Sequence, residues 1–182
     1  MNINEMLDSN FRGNVLIIQN NTVIFEKENG YADLSNKIPN SIDTKFASAS
    51  AGKVFVAVGI LQLIESGKLR LEDSLGSILD IDLHEIDPDV TIKQLLTHTS
   101  GIPDYFDESI MDDYEELWTD YPNYKIRHNS DLLPLFINNS MMYPKGEKFQ
   151  YNNSGYVLLA MIIEKVTGME FDKYLQVHIF DI

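Results

Sequence analysis

The sequence predicts an α+β fold in which an N-terminal antiparallel hairpin precedes a run of helices, within a single domain spanning residues 1–182. Asn14 to Gln19 (Asn-Val-Leu-Ile-Ile-Gln) and Thr22 to Lys27 (Thr-Val-Ile-Phe-Glu-Lys) read as two strands. The pair between them, Asn20-Asn21, tolerates the positive φ of a two-residue hairpin turn. Ala51 to Ser66 is apolar almost all round, the pattern of a helix buried on every side. After Lys27 strand-like patterning stops, and helices joined by polar loops take over.

The hairpin sets a packing problem. Val15 and Ile17 point to one face of the first strand and Leu16 and Ile18 to the other, so both faces want burial, as in a central strand. A two-stranded ribbon is marginal in water and cannot cover both of its own faces, so flanking strands are expected. Nothing after Lys27 supplies a convincing one.

Gly67 ends the apolar helix, and residues up to 70 group with the hairpin, leaving 71–182 as a helical portion. Its predicted helices are Ile92 to Thr97, Asp112 to Thr119, Ser130 to Asn139, Ser154 to Val166 closed by Thr167-Gly168, and Phe171 to Ile179. An acidic, aromatic stretch from Asp104 to Tyr124 reads either as a lid over a site or as a solvated face with a few core-facing aromatics.

Composition narrows the function. The 28 acidic against 14 basic residues give a formal net charge of −14, which repels a phosphate backbone, so nucleic acid is not an expected partner. Zero cysteines exclude disulfides, thiolate chemistry and Cys-based metal centres. His84, His128 and His178 are scattered without metal-ligand spacing, so neither a metal nor a cofactor is expected. No segment reaches the roughly 18 uninterrupted apolar residues that span a bilayer. Met1 to Glu5 is not the basic start of a signal peptide, so the chain as written reads as cytoplasmic, with an exported cell-envelope protein as the alternative.

Ser50-Ala51-Gly52-Lys53 opens the apolar helix, and a three-residue spacing puts a hydroxyl and an amine on one side, within mutual reach. Serine becomes a good nucleophile only when a neighbour takes its proton. A helix N-terminus adds N–H groups that favour negative charge on an attacked carbonyl oxygen. With 13 serines and 11 lysines in the chain, chance alone supplies about one S-x-x-K, so the context carries the reading. Lysine is electrostatically misplaced in a first helical turn, and the helix is too apolar for a surface position. Ser48 does not fit, because Ala51 stands three residues on.

Tyr151-Asn152-Asn153 opens a second apolar helix. A phenol beside an amine can shuttle a proton to a leaving group, and an Asn amide can hold both a lysine and a substrate amide. Tyr121-Pro122-Asn123 has the same spacing but lies in a polar, proline-broken loop. His98, two residues before Ser100, reads as a helix end with a Gly turn rather than as part of a triad.

Four segments in order, Phe46 to Phe55, Leu61 to Leu69, Leu95 to Gly101 (Leu-Leu-Thr-His-Thr-Ser-Gly) and Tyr151 to Tyr156 (Tyr-Asn-Asn-Ser-Gly-Tyr), resemble the serine beta-lactamase-related family. That family comprises class C beta-lactamases, D-alanyl-D-alanine carboxypeptidases and related esterases. The resemblance implies an antiparallel sheet flanked by helices, a helical subdomain, and an active site between them. It also implies Ser50 as the acylated nucleophile and donor of one oxyanion N–H, Lys53 as its base partner, Tyr151 as proton relay and Asn153 as a substrate-amide ligand.

The family's third motif, a basic or His-containing triplet ending in Gly on a sheet strand, has no counterpart here, and relatives continue past Phe180-Asp181-Ile182. The expectation is therefore the N-terminal portion of a serine acyl hydrolase acting on an ester, amide, beta-lactam or D-amino-acid peptide, with weak or no turnover from these residues alone. The open sheet edge is expected to be filled by a second copy or a complementing C-terminal fragment. Two alternatives are a catalytically silent peptide- or protein-binding module on the same scaffold and an acidic helical interaction domain.

Overall fold

A computed structural model describes residue 7 and residues 10–182; the reading of Met1 to Glu5 lies outside the described residues. The chain divides into two compact units, Met1–Ala49 and Ser50–Ile182.

The first unit holds β1 (Gly13–Gln19) paired antiparallel with β2 (Thr22–Asn29). The two-residue turn forms as its sequence predicts, with Asn20 and Asn21 at φ 51° and 59°. Ile17 stands opposite Phe25 and Ile18 opposite Val23, so a bulge shifts the register between them. A short second hairpin that sequence patterning did not reveal, β3 (Tyr31–Asp33) with β4 (Ile38–Pro39), forms a separate sheet. Among the described residues β1 and β2 pair only with each other, and Leu16, Ile18, Val23 and Ile24 stand exposed.

The second unit is helical. A 3-10 turn, Ala49–Gly52, leads into α1 (Lys53–Glu65), so Ser50 sits in the turn that feeds the helix rather than inside it. Short α2 (Leu75–Ile78) and α3 (Ile92–Leu96) start side by side, because Leu75 N–H donates to the Val90 carbonyl and Ile92 N–H to the Asp73 carbonyl. A capping box formed by Thr91 and Gln94 fixes the start of α3.

Two predicted helices are corrected. Asp112 to Thr119 is a 3-10 turn (Tyr114–Glu116) followed by the single-turn α4 (Leu117–Asp120), with Asp113 capping the start. Ser130 to Asn139 is a 3-10 run, Asn129–Leu135, because Pro134 lacks the N–H an α-helix needs there.

The long α5 (Ser154–Thr167) ends at Gly168 in the left-handed conformation (φ 69°), as the Thr167-Gly168 signal predicts. The predicted last helix, Phe171 to Ile179, is α6 (Phe171–Leu175) running into a π-helical turn, Gln176–Phe180.

The most deeply buried helix is α5 rather than α1. It buries Leu158, Leu159, Ile162 and Ile163 completely and packs on α1, α2, α3, α6 and the 3-10 run 129–135. On α1, Val56, Ile60 and Leu63 are buried, whereas Val54 and Leu61 are exposed, so the expectation of burial on every side fails. Each fully buried aliphatic side chain contributes roughly 1.5–3 kcal/mol. Gly59 lets α1 approach α5 closely, since a Cβ there would lie 2.9 Å from the Ile163 Cδ1.

Behind this core, residues 98–101 run beside 142–150. Gln150 N–H donates to the His98 carbonyl, Gly146 N–H to Thr99 and Met142 N–H to Gly101. Gly101 has φ +72°, and a Cβ would fall 2.1 Å from the Tyr143 carbonyl oxygen. Gly67 shares the positive φ (+74°) but has open space around it. Gly67→Ala should therefore cost about 1 kcal/mol, and Gly101→Ala roughly 3 kcal/mol or more. Urea unfolding of the two variants beside the parent chain measures the difference.

Candidate active site

The four sequence-predicted residues converge. Lys53 Nζ lies 3.2 Å from Ser50 Oγ and donates at 2.8 Å to Asn153 Oδ1, and the Tyr151 hydroxyl donates to Ser50 Oγ at 2.8 Å. The short spacing to Ser50 was legible in sequence; the closure onto residues about a hundred positions later is produced by packing α1 against α5, with the first residue of α1 meeting the residue that precedes α5.

Burial is graded across the cluster. Ser50 is exposed, Lys53 and Tyr151 are half-buried, and Asn153 is buried. The ammonium also lies over aromatic faces, 4.8 Å from the Tyr151 ring centroid and 5.9 Å from that of Tyr156. Gly52, at the start of α1, makes no side-chain cap, and no acidic residue occupies the first turn. Its dipole therefore acts on the region of Ser50 without a carboxylate to offset it.

Asn153 has its whole amide committed. Its Oδ1 accepts from Lys53, while Nδ2 donates to the Phe106 carbonyl at 2.9 Å and to Asp104 Oδ2 at 3.3 Å. The neighbouring Asn152 faces the other way, bonding the Ile102 carbonyl through Nδ2 and capping Gly155 N–H through Oδ1.

Two residues that sequence reasoning did not assign to the site belong beside it. Asp104 is one of several acids in the 104–124 stretch, yet it turns inward onto Asn153 and Ser154. Burial raises its carboxyl above the usual range, against the pull of hydrogen bonds from Asn153, Ser154 and Phe106. His98 reads in sequence as a helix end with a Gly turn, and its positive φ (56°) agrees. Its ring also packs between Tyr151 and Tyr156, centroids 4.8 and 5.0 Å away, with Phe149 edge-on at 5.8 Å. Its Nδ1 accepts the Asn152 N–H at 3.1 Å. No local pattern announces either role, since both depend on partners about fifty positions away.

The remaining candidates lie elsewhere. The Tyr121 hydroxyl donates to the Asp131 carbonyl, and its ring lies under Lys125. Ser100 is buried, and His98 finds its partners in Asn152 and the aromatic rings instead. Among the described residues no cluster of His, Asp or Glu could hold a metal ion, and no helix is long and apolar enough to cross a membrane.

The Beta-lactamase family model matches residues 6–182, and the chain belongs to that family. It is 34% identical over 172 residues to penicillin-binding protein 4* of Bacillus subtilis, an alignment covering 93% of this chain and 36% of the relative. The solved penicillin-binding protein of Bacillus halodurans superposes with a TM-score of 0.88 at 43% identity, covering 93% of this chain and 51% of that one. The D-amino acid amidase of Ochrobactrum anthropi superposes at 0.71 and 26% identity, covering 91% and 42%. The fold is thus of the beta-lactamase/transpeptidase type, and the chain spans about a third to a half of the length of these relatives.

His98 gives the site a pH signature. Burial, then the nearby Lys53 charge, hold its imidazole below the ordinary value, and the Asn152 N–H donated to Nδ1 suits the neutral ring. A folded-state pKa below the unfolded one means that protonation favours the unfolded chain. The stabilising contribution is thus complete above the unfolded value of about 6.5, and it is lost as pH falls through the folded value. Thermal melts should show a steeper drop in Tm between pH 7 and 5 for the parent than for His98→Asn, whose side chain tolerates the positive φ.

Proposed function

We propose that this chain carries the acylating machinery of a serine acyl hydrolase, forming an acyl-Ser50 intermediate with an ester, amide, beta-lactam or D-amino-acid peptide. The observation that carries this reading is the simultaneous reach of Lys53 Nζ and the Tyr151 hydroxyl to one oxygen, Ser50 Oγ. The activities named for the relatives, penicillin binding and D-amino acid amidase, support the same reaction class.

In the proposed cycle the Lys53 amine accepts the Ser50 proton as Oγ attacks the carbonyl carbon. Tyr151, bonded to the same oxygen, passes its phenolic proton to the departing amine or alkoxide and takes one back from protonated Lys53; water then cleaves the acyl-Ser50 ester and returns the serine hydroxyl. The uncapped N-terminus of α1 favours the negative charge growing on the carbonyl oxygen. Asn153 holds Lys53 in place in the resting site. To take a substrate amide as well, its Nδ2 must exchange the Phe106 carbonyl for a substrate carbonyl. The net charge of −14 supports a neutral or cationic substrate over an anionic one.

Incubation with a fluorophosphonate or a penicillin, followed by peptide mass mapping, should place the added mass on Ser50 and on no other serine. Ser50→Ala should abolish the adduct. Lys53→Ala and Tyr151→Phe should slow its formation by about 10²- to 10⁴-fold, the range for a lost proton-transfer group. Mass on another serine with Ser50 untouched overturns the assignment, and a folded chain that forms no adduct supports a silent binding module instead.

A further inference from the structure

The Asn153 amide has only one orientation that suits its surroundings. On one side stand two acceptors, the Phe106 carbonyl and the Asp104 carboxylate, and on the other a donor, Lys53 Nζ. Rotated by half a turn, the amide would point its oxygen at two acceptors and its NH₂ at an amine carrying protons, losing all three hydrogen bonds at a buried position.

Asp104 supplies much of this constraint. Its Oδ2 accepts from the Asn153 backbone N–H at 2.8 Å as well as from Nδ2, and its Oδ1 accepts from Ser154 N–H at 3.0 Å and from Ser154 Oγ at 3.2 Å. Asn153 and Ser154 together bring four donors to this carboxylate at the first turn of α5, where the free N–H groups of the helix favour an anion. Ser154 is completely buried and is held in turn by the Tyr105 N–H, which donates to its Oγ at 2.9 Å. The carboxylate is thus fixed by its partners and fixes them.

We propose that Asp104 is the positioning residue of the site: as an acceptor on both oxygens it sets the Asn153 amide so that Oδ1 faces Lys53, and thereby holds the amine on Ser50. Its contribution to reaction rests on the acyl-serine reading above; its effect on the Asn153 amide does not. Asp104→Asn tests the distinction. The new side chain is nearly isosteric, but one of its two acceptor ends becomes a donor, so either the Asn153 or the Ser154 hydrogen bonds must break or turn.

Two readouts on the same variant separate the possibilities. The first is exchange of the Asn153 side-chain NH₂ protons, followed by ¹⁵N-resolved NMR in the intact chain. In the parent they should be protected from solvent, and in Asp104→Asn they should exchange markedly faster while the backbone amides of Leu158 to Ile163 stay protected. The second is the rate of Ser50 labelling by a fluorophosphonate well below the melting temperature, expected to fall by about 10- to 100-fold, as for a misplaced catalytic group. Asp104→Glu, which restores an acceptor-only carboxylate, should recover part of both.

Unchanged Asn153 protons in Asp104→Asn overturn the proposal, and so does a changed amide with an unchanged labelling rate. If the parent chain is not labelled at Ser50, the acyl-serine reading falls, and amide exchange alone decides whether Asp104 orients Asn153. If Asp104→Asn does not fold, the parent suffices: Asn153 protons that exchange as freely as a solvent-facing amide overturn the proposal.

Discussion

The hydrogen bond from Lys53 to Asn153 is the contact on which the rest of the site depends. It joins the first residue of α1 to the residue that caps α5, a hundred positions apart in sequence, at 2.8 Å. Without it the amine has only the exposed Ser50 hydroxyl at 3.2 Å and two ring faces to hold it. The apolar packing of Ile60 and Leu63 on α5, with Gly59 permitting close approach, brings the helices together. Such packing is non-directional. The polar contact at the helix ends selects where along that interface the amine comes to rest.

The Tyr151 side is fixed by a different means. Residues 98–101 bond to the turn-rich segment 142–150 through backbone groups, with Gly101 at a left-handed φ and the Tyr143 carbonyl against its α-carbon. That pairing delivers the His98 ring to the flat faces of Tyr151 and Tyr156 and its Nδ1 to the Asn152 N–H. A neutral imidazole suits this place, since it accepts at Nδ1 and adds no second positive charge beside Lys53. The residue that reads as a turn marker in sequence is therefore also a wall behind the phenol.

What the sequence made legible follows from the range of the physics involved. The Asn20-Asn21 turn, the Gly168 helix end and the Ser50–Lys53 spacing are set within a few residues, and all three stand in the structure as expected. Tyr151 and Asn153 were legible because their motif opens an apolar helix, which marks it off from the polar, proline-broken loop of Tyr121-Pro122-Asn123. The errors arose where periodicity outweighed a single residue, as at Pro134, or where an all-round apolar pattern hid which face of α1 would be covered, leaving Val54 and Leu61 exposed. Asp104 was illegible for another reason: in sequence it is the first of a run of acids, and only its hydrogen bonds to Asn153 and Ser154, about fifty positions on, set it apart from the solvated acids of that run and from the buried Asp107.

The order of groups, carboxylate then amide then amine, has a chemical logic of its own. A carboxylate in direct contact with an amine favours its charged form and opposes the transfer of a proton to it from serine. Among the described residues Lys53 forms no ion pair. Interposing Asn153 keeps the geometric benefit of a half-buried carboxylate, a fixed acceptor array at the start of a helix, while the group that touches the amine is neutral. An Asp at position 153 would be isosteric, but it would set a second carboxylate against Asp104 and replace two donated hydrogen bonds with repulsion. The amide therefore answers two constraints together: it must donate to the acceptors at its back and accept from the amine at its front, and among side chains of this size only a carboxamide can do both.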